Sequence, residues 1–80
     1  MDKIKYKNQE YNIYNISYMF KNKCIGNNKI LFKGELSQLK RIISSQFNKS
    51  NKAKFKVLMD NGKVVHGWLL KIDLISYEIS

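Results

Sequence analysis

The 80-residue sequence contains no proline, one cysteine and one histidine. A single cysteine, Cys24, excludes a disulfide within the chain, and one cysteine with one histidine is too few for a structural zinc site. The fold must therefore rely on its hydrophobic core, although a domain of this size buries only about 60–65% of the surface of its unfolded chain. Hydrophobic residues make up 44% of the sequence, which suits a single compact domain over residues 1–80.

The sequence also lacks a long apolar segment. Residues 1–5 are charged and have no apolar region behind them, so they predict no secretory signal. No apolar run approaches the roughly 18 residues that a membrane span requires. The free thiol of Cys24 suits a reducing compartment. The predicted location is therefore the cytoplasm, with no membrane partner.

Residue types that carry catalysis are scarce. His66 is the only histidine, and it alternates with Val64 and Trp68 in the pattern of a partly buried strand residue. The six carboxylates show no spacing typical of acid–base chemistry or of a metal site, and no glycine-rich phosphate loop is present. The sequence therefore predicts a protein that is not an enzyme and has no cofactor or metal.

Basic residues outnumber acidic ones by fifteen to six, which gives a formal net charge of +9. A sequence pI near 9.8 is typical of a nucleic-acid-binding domain. Arg41 is the only arginine, and lysine is a point charge without the bidentate geometry that reads bases. The lysine excess therefore favours contact with the phosphate backbone over sequence readout. Codon bias in an AT-rich genome is an alternative explanation of that excess.

The hydrophobic pattern predicts an α+β domain. Strand-favouring residues alternate with polar ones over most of the chain, whereas residues 35–47 place apolar side chains at helical spacing. The predicted architecture is a small antiparallel sheet or bent barrel, in the order β-β-β-α-β-β, with one amphipathic helix packed on the sheet. Predicted loops cover residues 21–29 and 47–52, and a last short strand is predicted within residues 73–80.

The second hairpin has the clearest turn, because Asn61 and Gly62 accept the positive φ that a tight hairpin requires. Residues 55–73 resemble the first signature segment of Sm-like proteins and the related hairpin of SH3-like small barrels. In that segment Asn-Gly ends a strand, and a glycine, a hydrophobic residue and an aspartate follow at fixed spacing. The matching residues are Gly62, Gly67, Leu69 and Asp73.

This resemblance implies a small bent barrel and an RNA ligand. The asparagine that contacts RNA in the Sm-like family corresponds here to Tyr77. No binding residue and no ring assembly is therefore carried over from that family.

Lysines recur at every second position of two predicted strands. A two-residue repeat along a strand is about 6.6–7 Å, close to the phosphate spacing along one nucleic-acid strand. Lysines on edge strands also prevent aggregation, and this alternative applies more strongly to the first strand than to residues 49–56. Basic residues on the helix extend the surface or form an ordinary solvated face. The candidate nucleic-acid-binding residues are Lys3, Lys5, Lys7, Lys40, Arg41, Lys49, Lys52, Lys54 and Lys56.

Two functions are compatible with these features. The preferred one is a basic accessory protein from a phage or mobile element that binds the backbone of DNA or RNA. The alternative is a stoichiometric inhibitor, of the anti-defence or anti-CRISPR type, that binds a host protein or ribonucleoprotein. Protein interfaces depend on exposed aromatic anchors. The candidates for that role are Tyr11, Phe20 and Trp68.

Overall fold

Alternation of apolar and polar residues produces six strands, and a change to helical spacing produces one helix between the third and fourth. The computed structural model describes residues 2–80. The elements are β1 (Lys3–Tyr6), β2 (Gln9–Phe20), β3 (Ile25–Phe32), α1 (Leu36–Ser50), β4 (Lys52–Leu58), β5 (Val64–Leu70) and β6 (Leu74–Ile79). A single 3-10 turn, Lys71–Asp73, separates β5 from β6. The predicted element order and the α+β class are confirmed.

All strands belong to one antiparallel sheet, in which β1 to β5 lie side by side in chain order. The twelve residues of β2 are long enough to pair with two further strands along one edge. β1 pairs with residues 9–12, and β6 pairs with residues 16–20. The other edge of β2 pairs with β3. Within residues 2–80 no strand pairing joins β5 to β6, so the sheet is open and the bent-barrel alternative does not describe it.

The 3-10 turn spans the gap between the two ends of the sheet. The backbone N–H of Lys71 donates a 2.9 Å hydrogen bond to the carbonyl of Asn51, at the start of β4. The backbone N–H of Lys21 donates a 2.8 Å hydrogen bond to the carbonyl of Asp73, at the end of β2. The turn therefore holds the far end of β5 near the far end of β2.

One face of the sheet packs against α1 and forms the core. The cross-strand partners Tyr14, Ile30 and Val57 share this face because residues directly opposite each other point to the same side of a sheet. The buried side of α1 consists of Leu39, Ile43 and Phe47, at helical spacing. The remaining core residues are Ile16, Ala53, Leu69 and Ile79.

The helix is longer than predicted and leaves almost no loop before β4. Residues 48–50, expected in a loop, form its last turn, and Asn51 alone separates it from Lys52. Asn51 adopts the left-handed conformation, with φ of 58°, and its N–H donates to the carbonyl of Phe47. Asparagine tolerates this conformation, so a single residue ends the helix and reverses the chain.

The predicted loop at residues 21–29 is also shorter, because β3 begins at Ile25. Gly26 pairs directly with Tyr18, and a β-carbon at Gly26 would overlap the ring of Tyr18. Asn28 donates a 2.8 Å hydrogen bond to the Tyr18 hydroxyl through its side-chain amide. Residues that normally indicate a loop therefore extend the strand here because the tyrosine ring lies over the glycine.

Two neighbouring isoleucines on α1 test this packing. Ile43 is 1% exposed and Ile42 is 42% exposed. We expect Ile43→Ala to lower the free energy of unfolding by about 2–5 kcal/mol, since it leaves a cavity in the core. Ile42→Ala should change it by under about 0.5 kcal/mol, as is usual for surface substitutions. Urea denaturation of both variants measures the difference, and equal losses would contradict the assigned orientation of α1.

Candidate nucleic-acid interface

In residues 2–80 no second α-helix packs on the sheet face opposite α1, and we call this face the open face. On β4 the even-numbered residues point to it, because Ala53 and Val57 point into the core. Lys52, Lys54 and Lys56 therefore stand in a row along the open face. Three of the nine predicted binding residues are thus brought together by one strand.

Cross-strand pairing places other side chains beside this lysine row. On β5, Lys52 lies opposite Leu70, Lys54 opposite Trp68 and Lys56 opposite His66. His66 is exposed, so the prediction of a partly buried histidine was wrong. Within the described residues 2–80, β5 pairs only with β4 and is therefore an edge strand of the sheet.

Aromatic rings lie on both sides of the lysine row on the open face. The Nζ atom of Lys52 lies 5.7 Å from the centroid of the Trp68 ring, whose residue is 57% exposed. The Nζ atoms of Lys56 and Lys33 lie 5.7 Å and 5.3 Å from the centroid of Tyr11. Cation–π attraction at such distances holds the ammonium groups against the rings.

Hydrogen bonds to α1 fix the position of β4. The side-chain oxygen of Gln46 accepts a 2.6 Å hydrogen bond from the backbone N–H of Lys54. The Ser50 hydroxyl lies 3.0 Å from the carbonyl oxygen of Lys52 and 3.1 Å from that of Gln46, so it donates to either. These hydrogen bonds therefore fix the first residues of β4, where Lys52 and Lys54 lie.

An apolar side chain supports the middle of the open face. Leu31 on β3 is 5% exposed, and its cross-strand neighbours are Ile13 and Lys56. Leu31 therefore lies beneath the lysine stems, which have apolar carbons to pack against it.

The remaining predicted binding residues lie elsewhere. Lys3 and Lys5 pair with Asn12 and Glu10, which places them on the opposite side of the sheet from the lysine row. Lys3 is also held by an ion pair with Glu10 at 3.3 Å. Lys7 lies in the turn between β1 and β2. The helix carries Lys40, Arg41 and Lys49, all exposed and away from the open face.

Two lysines of the open face were not among the predicted binding residues. Lys29 lies opposite Leu58, and Lys33 follows β3 and contacts Tyr11. The sequence contains the pattern that places them on one face, since Lys29, Leu31 and Lys33 lie at every second position along one predicted strand. This pattern was overlooked because each lysine appears alone, without the dense spacing of residues 52–56.

The aromatic residues predicted for a protein interface fall into two places. Phe20 and Trp68 line one cavity of about 460 Å³, whereas Tyr11 lies at the other side of the lysine row. Leu70 and Ile72 extend the exposed apolar surface beyond Trp68.

Over residues 2–80 no cluster of three or more metal-ligating side chains is present. No helix in the same range is long and apolar enough to cross a membrane. Comparisons with protein-family models, curated proteins and solved structures found no match for this chain.

The single tryptophan reports the electrostatics of this site directly. We expect the ratio of iodide to caesium quenching of Trp68 at low ionic strength to exceed the ratio for free N-acetyltryptophanamide, because Lys52 and Lys54 attract the anion. The excess should shrink at high salt as the charges are screened. Replacing both lysines with glutamine should remove most of the excess. A ratio in the unmodified protein equal to that of free N-acetyltryptophanamide would contradict the proposed charge distribution.

Proposed function

We propose that the open face binds DNA or RNA through the phosphate backbone. The observation that carries the proposal is the row of Lys52, Lys54 and Lys56 with aromatic rings on both sides. Successive lysines on one strand face are about 7 Å apart, near the phosphate repeat of a nucleic-acid strand. A polyanion would also relieve the repulsion within a chain of net charge +9.

Over residues 2–80 no ion pair involves the lysine row. In the part of the chain that the structure describes, the one ion pair joins Lys3 to Glu10. The charges of Lys52, Lys54 and Lys56 are therefore available to an external anion. Release of counterions from the nucleic acid then supplies the binding energy and makes affinity depend on salt.

The residue types favour binding without strong sequence preference. Lysine lacks the planar fork with which arginine reads guanine, and the only arginine, Arg41, is on α1. Tyr11 and Trp68 offer ring surfaces, which any base can stack against. We therefore propose a non-enzymatic nucleic-acid-binding protein that recognises backbone and base faces.

A protein partner is the second candidate, favoured by the apolar surface at the end of β5. Trp68, Leu70 and Ile72 are all exposed, and Ile72 is 71% exposed. Contiguous exposed apolar residues with an aromatic anchor are typical of protein interfaces. On this reading the chain is a stoichiometric inhibitor of a host protein or ribonucleoprotein.

Removal of equal charge from two faces tests the proposed function. One variant carries Lys52→Gln, Lys54→Gln and Lys56→Gln, and the control carries Lys40→Gln, Arg41→Gln and Lys49→Gln on α1. Both variants lose three positive charges, so an effect of net charge alone would weaken nucleic-acid binding equally in the two. Fluorescence anisotropy with labelled DNA and RNA, single-stranded and duplex, measures affinity from low to physiological salt.

We expect the sheet variant to lose about tenfold or more in affinity at low salt, and its salt slope to fall by about two on a single strand. The helix variant should lose much less. Equal losses, or no binding of any polymer by the unmodified protein at physiological salt, would contradict the proposal. The second of these results would favour a protein partner.

A further inference from the structure

A cavity of about 460 Å³ opens at the end of the lysine row. Its volume lies within the range of small-molecule sites. It forms because the 3-10 turn holds the end of β5 near the end of β2, where the pairing with β6 shifts register between Met19 and Phe20. The lining residues are Phe20, Lys21, Asn22, Trp68, Leu70 and Asp73.

We propose that this cavity holds one unpaired base, so that the open face binds single-stranded nucleic acid in preference to duplex. The inference rests on the proposed function and names the form of its ligand. A duplex keeps its base faces stacked inside the helix, whereas a single strand exposes them to aromatic side chains. Trp68 offers such a face beside the lysine row.

The chemistry of the walls suits a base. Phe20, Trp68 and Leu70 provide two aromatic rings and an aliphatic side chain for stacking and apolar contact. Asp73 provides a carboxylate that accepts hydrogen bonds from the ring N–H of thymine or uracil or from the exocyclic amine of another base. The side-chain oxygen of Asn22 accepts a 3.0 Å hydrogen bond from the N–H of Cys24, which leaves its amide nitrogen as a donor.

The charges around the cavity fit the phosphates of a strand that enters it. Lys52 lies over one face of Trp68, with 5.7 Å between its Nζ atom and the ring centroid. Lys21 lies on the rim of the cavity. Lys54, opposite Trp68 on β4, continues the positive surface away from the cavity. A strand lying along Lys52, Lys54 and Lys56 would thus carry its terminal base to Phe20 and Trp68.

The test compares strands that have the same phosphates but differ in one base. The probes are an oligothymidine strand, the same strand with one abasic position, the matching oligouridine and a duplex of equal length. Binding is measured by anisotropy and by the fluorescence of Trp68, the only tryptophan in the chain. The variants are Trp68→Ala, Trp68→Phe and the control Ile75→Ala, which alters an exposed apolar residue outside this cavity.

We expect tighter binding of single strands than of duplex, with quenching of Trp68 by the single strand. Trp68→Ala should weaken single-strand binding about 5- to 140-fold, the range for loss of one stacked base. Trp68→Phe and Ile75→Ala should retain most of the affinity. The abasic strand should bind the unmodified protein more weakly than the complete strand does. For Trp68→Ala, the abasic strand should bind no more weakly than the complete strand.

Other results would distinguish failure of the base-binding cavity from failure of the proposed function. If duplex binds as tightly as single strand, or if Trp68→Ala binds single strands normally, the base-binding cavity is overturned while the proposed function stands. If no polymer binds the unmodified protein at physiological salt, the proposed function fails and this inference fails with it. The comparison of complete and abasic strands needs only the unmodified protein, so it remains decisive even if Trp68→Ala does not fold.

Discussion

The packing of α1 on the sheet sets the arrangement of residues 2–80. Leu39, Ile43 and Phe47 cover one face and complete a core with no disulfide and, over residues 2–80, no metal cluster. A helix of fifteen residues covers only one side of the sheet. The other side stays in contact with solvent, and charged and aromatic side chains occupy it. The core therefore determines where a binding surface can exist.

β4 contributes to both sides of the sheet through alternate residues. Ala53 and Val57 are buried in the core, while Lys54 and its two neighbouring lysines lie on the open face. A shift of one residue in register would bury the lysines and expose the core residues, so register is strongly specified. The hydrogen bond from Lys54 to Gln46 and the left-handed cap at Asn51 reinforce that register at the start of the strand. Stability and the proposed binding surface consequently depend on the same pairing.

Much of this fold was predictable from local pattern. The spacing of apolar residues predicted α1, and Asn61 and Gly62 predicted the second hairpin, because both signals depend on residues close in sequence. The start of β3 at Ile25, four residues earlier than predicted, was missed because the ring of Tyr18 covers Gly26, a tertiary contact that composition does not reveal. The resemblance to Sm-like proteins remains a prediction.

The candidate site was predictable only in part. Alternation on β4 placed three lysines together correctly, but the opposite placement of Lys3 and Lys5 follows from pairing with β2. The meeting of Phe20 and Trp68 depends on the 3-10 turn and on the register shift in β2, which no local pattern indicates. Residues distant in sequence therefore completed the site.

We propose that the open face, and not the helix, contacts nucleic acid. Amide chemical-shift mapping by two-dimensional nuclear magnetic resonance, during titration with an unlabelled oligothymidine strand, tests it residue by residue. We expect shifts to concentrate at residues 52–56 of β4 and 66–70 of β5, with small changes at residues 39–43 of α1. Shifts concentrated on α1, or spread evenly over all exposed lysines, would contradict it.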